Sequence, residues 1–218
     1  MTDAEAVSAA LTLAVDAIGF VFAPSVRALS PAAAAALAAP ARGRCALVAV
    51  TLHPSQALID EIMQVFEPDV LQADLADFSA LRLPQTLSRL PVLRASVAAA
   101  DPAAADPAAA ADLATAADAA PAAAAPGHSA LLPRMLFEGR VSGSGTTADW
   151  LQAARVARAT RLALAGGLTA GNVAEAIEAV HPFGVDVSSG VESSPGRKSA
   201  ALIAQFVDAA RAAAREAA

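Results

Sequence analysis

The chain has 218 residues, of which 56% are hydrophobic, 4% aromatic and 17% charged, with a formal net charge of −6. That length suits one domain of barrel or doubly wound size, and the absence of Tyr leaves Val, Ile and Leu to build the core. An acidic balance with scattered Lys and Arg argues against nucleic acid as a partner, because counterion release needs a concentrated basic surface.

No apolar run reaches the ~18 to 20 residues of a spanning helix, and the acidic opening MTDAEAV does not suit a signal peptide. The expectation is a cytoplasmic protein without membrane partners, leaving room for a homo-oligomer. A single cysteine, Cys45, excludes an intramolecular disulfide, and no Cys/His cluster has zinc spacing. No metal site is expected.

In chain order, Thr2-Asp3-Ala4-Glu5 has the spacing of a capping box and leads into a first helix. Apolar runs then alternate with Ala-rich helical stretches. Strands are expected at Ala17 to Phe22, Ala46 to Leu52, Asp69 to Gln72, Val92 to Ala95, Arg134 to Glu138, Arg161 to Ala165 and Gly184 to Val187. Helices are expected at Pro31 to Ala39, Ser55 to Phe66, Trp150 to Ala159, Asn172 to Val180 and Ser199 to Ala217. Near-continuous apolarity in each strand indicates burial on both faces, so the alternation predicts a parallel sheet covered by helices. Residues 98–127, loose repeats of Ala, Asp and Pro, interrupt the pattern. They read as a low-complexity insertion within a single domain spanning 1–218, or alternatively as a linker.

Chemistry concentrates in the last third. One strand closes in Leu164-Ala165-Gly166-Gly167-Leu168, and the next in Val185-Asp186-Val187-Ser188-Ser189-Gly190-Val191-Glu192. Small residues at successive strand ends leave backbone N–H groups bare, as a phosphate site after the last two strands of an eight-fold barrel requires. Plain tight turns are the alternative. A third glycine loop, with Gly143, Ser144 and Gly145, could cradle ligand or merely turn. Glu138 ends an apolar strand, where a carboxyl could act as a general acid or simply reach solvent. Cys45 reads as a buried strand residue. Of His53, His128 and His181, only His53 falls near the expected catalytic rim, and structural or solvated roles are the ordinary reading for all three.

The segments AGGLTAGNVAEAI and GVDVSSGVESSPGRK, with DAIGFVFAPSVRALSP, DVLQAD, LPVLRA and GSGTTADW in support, resemble phosphoribosylanthranilate isomerase. The resemblance spans nearly the whole chain outside the insertion. It implies a (β/α)8 TIM barrel, an Amadori rearrangement of a phosphoribosyl substrate in tryptophan biosynthesis, and no cofactor. It further implies phosphate binding by Gly166, Gly167, Ser188 and Ser189 with Gly143 to Gly145 nearby, Asp186 at its strand end among the substrate-binding residues, and Arg27 on the anthranilate carboxylate. Glu138 stands where the family's acid is an Asp, and Ala73-Asp74 where many members have an apolar residue and His. The family's base, a Cys in a Lys-x-Cys-Gly motif on the first barrel strand, has no counterpart here. Met1-Thr2-Asp3 resembles the residues directly after that motif, so the first strand is expected to be missing. Two other readings remain open: a catalytically silent binder of phosphoribosyl ligands, and another sugar-phosphate isomerase.

Overall fold

The computed structural model describes residues 1–94, 134–139 and 149–217. The expected insertion at 98–127, the loop carrying Gly143, Ser144 and Gly145, and His128 lie outside the described residues. The described residues fall into two compact units, one formed by 1–91 with 192–204 and the other by 92–94, 134–139, 149–191 and 205–217.

In the first unit, helix α1 (Ala4–Thr12) precedes strand β1 (Ala17–Val21), followed by α2 (Pro31–Ala38), β2 (Ala46–Val50), α3 (Gln56–Val65) and β3 (Val70–Asp74). β1 pairs in parallel with β2, and β2 with β3. Helix starts follow local chemistry: Ser30 and Ser55 cap α2 and α3 by accepting from Ala33 N and Leu58 N. The capping-box expectation at Thr2 is corrected, because Asp3 is the N-cap and accepts from Ala6 N at 2.8 Å. A carboxylate one residue later reaches the same orphan donors and also meets the positive helix end. The core gathers Phe20, Phe22 and Phe66, with ring centroids 5.2 and 5.3 Å apart, around Ile18, Leu47, Ile59, Ile62 and Leu71.

Strand β4 (Ser88–Arg94) starts in the first unit and ends in the second, and strand order through the sheet follows the chain from β1 to β7. The second unit continues with β5 (Met135–Glu138), α4 (Trp150–Ala157), β6 (Leu162–Leu164), α5 (Val173–Val180) and β7 (Gly184–Val185). Parallel pairing joins β4 to β5, β5 to β6 and β6 to β7. Leu136, Phe137, Leu162, Leu164, Val173 and Ile177 are buried there. All seven expected strands are present. β4 begins four residues before its expected start at Val92, and an antiparallel hairpin of β8 (Glu192–Ser194) and β9 (Arg197–Lys198) was not expected. The last helix, α6, spans Ala200–Glu216. Among the described residues no helix is long and apolar enough to cross a membrane.

Cys45 lies just before β2, at the N-terminal end of the strand and 3% exposed. Burial, reinforced by the Asp69 charge, pushes its thiol pKa up. A thiol reagent at neutral pH is therefore expected to modify the native protein about 100-fold or more slowly than the denatured chain. Equal rates in a stopped-flow comparison would contradict this burial.

Candidate active site

The two glycine-bearing strand ends meet in the second unit. Gly166 and Gly167 follow β6 with φ of 95° and 66°, a left-handed region that an L side chain rarely adopts. Asn172 holds this turn in shape: its amide donates to Gly167 O at 3.0 Å, and its side-chain oxygen accepts from Thr169 N at 2.8 Å. After β7, Asp186 N–H extends the ladder by donating to Leu164 O at 2.8 Å. Ser188 precedes a 3-10 turn over Ser189–Val191. A Cβ on Gly190 would stand 1.9 Å from the Leu168 carbonyl oxygen, so the loop after β7 rests directly on the loop after β6. Gly166, Gly167, Ser188 and Ser189 are half-buried on these adjoining loops, while Asp186 is exposed. Sequence reasoning gave Gly190 no role.

Glu138 is the last residue of β5 and lies opposite Arg94, the last residue of β4. Arg94 Nη1 donates to Glu138 Oε2 at 3.0 Å, and the two side chains are 26% and 12% exposed. Arg94 was missed in the sequence, although register between adjacent strand ends is what brings such a pair together.

Arg27 follows β1 in the first unit. Its Nε donates to Glu192 Oε1 at 2.7 Å and its Nη2 to Glu192 Oε2 at 2.9 Å, a bidentate pair. Lys198 Nζ donates to Oε1 at 3.0 Å, and Gly196 N–H to Oε2 at 3.1 Å. Lys198 sits directly across the hairpin from Glu192. The Glu192 side chain is only 4% exposed. Burial alone would raise its pKa, but the hydrogen bonds from Arg27, Lys198 and Gly196 outweigh it and hold the carboxyl at about 2. The signal in the sequence was Pro195-Gly196, a turn pair separating Glu192 from Lys198. Gly196 has φ of 84°, as the third position of a type II turn demands.

His53 follows β2 in a left-handed conformation, φ 45°. Its backbone N–H donates to Asp77 Oδ2 at 3.1 Å, its ring Nδ1 lies 2.9 Å from Asp77 Oδ1, and Nε2 is 3.9 Å from Asp74 Oδ2. The ring is 69% exposed. Asp77 explains the local geometry, and its reach across to His53 had no sequence signature. Among the described residues no group of three or more His, Cys, Asp or Glu could hold a metal ion.

The family model for N-(5'-phosphoribosyl)anthranilate (PRA) isomerase matches residues 1–209. The chain belongs to this family. The N-(5'-phosphoribosyl)anthranilate isomerase of Mesorhizobium japonicum is 36% identical over 219 residues, covering 96% of this chain and 91% of that protein. TrpF of Jonesia denitrificans, a solved structure, is 32% identical with a TM-score of 0.68, over 98% of this chain and 95% of the other. A further phosphoribosyl anthranilate isomerase, solved with reduced 1-(o-carboxyphenylamino)-1-deoxyribulose 5-phosphate, is 23% identical with a TM-score of 0.69 over 97% and 95% of the two chains, and supports the fold. The glycine loops, Arg27 and Glu138 thus belong to a PRA isomerase family member whose parallel α/β sheet matches solved members.

Proposed function

We propose that this chain isomerises N-(5'-phosphoribosyl)anthranilate to the carboxyphenylamino-deoxyribulose phosphate in tryptophan biosynthesis, as a cytoplasmic enzyme on a fold of the (β/α)8 barrel type to which the described residues contribute seven strands. The observation that carries the proposal is the 36% identity to a protein of that name over 96% of the chain.

The chemistry follows from the substrate. An acid protonates the ribose ring oxygen as the C1′–O bond breaks and the nitrogen lone pair forms the C1′ iminium. A base then removes the C2′ proton, and the electron pair of that bond flows toward the iminium nitrogen to give an enolamine. Exchange of the enol O–H proton for one on C1′ yields the ketone. The iminium is the electron sink, so the sequence of steps calls for no organic cofactor.

Residue by residue, Gly166, Gly167, Ser188 and Ser189 offer backbone N–H groups and hydroxyls to the phosphate, with Gly143, Ser144 and Gly145 assigned to the same group. Asp186 is assigned to substrate binding. Arg27 takes the anthranilate carboxylate, a task suited to a planar guanidinium. Glu138 is the acid. Arg94 Nη1 donates to its Oε2 and orients the carboxyl. The base is left without an assigned residue.

The test is loss of phosphoribosylanthranilate fluorescence with wild-type protein and Glu138→Gln. Turnover by the wild type that falls about 10²- to 10⁴-fold in the variant is the expected result. Tight binding without turnover would favour the silent binder, and turnover only of sugar phosphates lacking the anthranilate ring would favour a different isomerase.

A further inference from the structure

We propose that Glu192 is a positioning residue for Arg27: by occupying the guanidinium's Nε/Nη2 edge, it presets the Nη1/Nη2 edge for the carboxylate of the substrate. The inference rests on the isomerase reading, since that reading supplies the carboxylate.

A guanidinium has a side edge formed by Nε and one terminal nitrogen, and an end edge formed by both terminal nitrogens; each can hold a carboxylate by two parallel hydrogen bonds. Glu192 takes the side edge of Arg27 at 2.7 and 2.9 Å. With that edge committed, an incoming carboxylate has the end edge to bind. Glu192 is itself immobilised, because each of its oxygens accepts twice: Oε1 from Arg27 and Lys198, Oε2 from Arg27 and Gly196 N. A carboxylate held by four donors cannot swing without breaking several of them. This is more anchorage than a surface tie between hairpin and loop requires.

The backbone of the Arg27 loop is fixed by the same hairpin. A Cβ at Gly196 would lie 2.8 Å from the carbonyl oxygen of Val26, so the turn backs closely against the residue preceding Arg27. The Arg27 N–H also donates to Ser25 Oγ at 3.1 Å. A long, rotamer-rich side chain is thus ordered before any ligand arrives, and preorganisation of this kind raises affinity by reducing what binding must still order.

In the experiment, Glu192→Gln is compared with wild type for KM, kcat, affinity for reduced 1-(o-carboxyphenylamino)-1-deoxyribulose 5-phosphate, and inhibition by inorganic phosphate. Glutamine keeps the size but turns a donor toward groups that are themselves donors. We expect KM and the analogue's Kd to rise about 10- to 100-fold, kcat to change far less, and phosphate inhibition to stay the same. Analogue affinity equal to wild type, or an equal loss for analogue and phosphate, would overturn the inference alone. Failure of the wild type to bind the analogue would overturn the isomerase reading and this inference with it. Because the variant removes a buried charge and could fail to fold, the Arg27 Nε–H resonance of the wild type is a second measurement. It is expected to stay protected from exchange with and without the analogue; loss of protection when the analogue binds would show that Arg27 abandons Glu192 and would overturn the inference.

Discussion

Gly190→Ala is expected to disrupt the paired glycine loops and to remove most of the activity. The added methyl would sit 1.9 Å from the Leu168 carbonyl oxygen, 2.9 Å from its carbon and 3.2 Å from Thr169 Cα. These are backbone atoms, which no rotamer change can move aside. The loop after β7 must therefore lift off the loop after β6, carrying Ser188 and Ser189 away from Gly166 and Gly167. Overpacking of this kind costs about 1–3 kcal/mol. If these loops bind phosphate, KM should rise about 100-fold, since misplacement by an ångström suffices for that. Gly184→Ala is the matched control, because a Cβ there meets nothing within 4 Å. Its stability should change by no more than about 0.5 kcal/mol. Denaturant melts and substrate titrations of both variants check the contrast, and equal behaviour would show that the close approach is not maintained.

The second large effect is acid sensitivity centred on Glu192. Its folded pKa of about 2 lies below the ordinary 4.5, so the native state binds this proton less readily than the unfolded chain does. The stabilisation is therefore fully present above pH 4.5 and is lost as the pH falls from there toward 2. A shift of that size corresponds to about 3 kcal/mol. Denaturation free energies of wild type and Glu192→Gln should therefore differ most at pH 6, and the gap should narrow steadily below pH 4. A gap constant from pH 6 to pH 3 would mean that the four donors do not hold the carboxylate ionised.

The seven strands were legible because each carries a short apolar core that no amphipathic helix of that length would need. β4 shows the limit of that signal: its first residues, Ser88-Arg89-Leu90-Pro91, mix charge, hydroxyl and proline, so only the apolar end from Val92 stood out. The alternation of apolar runs with the stretches between them placed α2 and α3 to within a residue or two, whereas neighbouring polar residues at the start, Thr2 and Asp3, competed for one cap and the sequence pattern selected the wrong one.

The candidate site divides along the same line. Glycine pairs at strand ends are local signals, and Gly166 and Gly167 adopt the backbone that only their local sequence could forecast. Partnerships are not local. Glu192 meets Arg27 across 165 residues, Glu138 meets Arg94 across 44, and Asp77 meets His53 across 24. Nothing in the composition of either segment names its partner; only strand register and the hairpin turn bring the charges together.

The hairpin at Glu192–Lys198 also sets a schedule for the ribosome. The first unit is built from residues 1–91 and 192–204, and Thr2 Oγ1 donates to Gly196 O at 2.7 Å across 194 positions. At ~5–20 residues per second, the 165 residues between Arg27 and Glu192 take about ten to thirty seconds to translate. During that interval β2 and β3 are added to β1, yet the Arg27 loop lacks the carboxylate that neutralises it and the turn that backs it. The nascent chain thus waits in an unfinished form, and this part of the protein closes only once the hairpin has emerged.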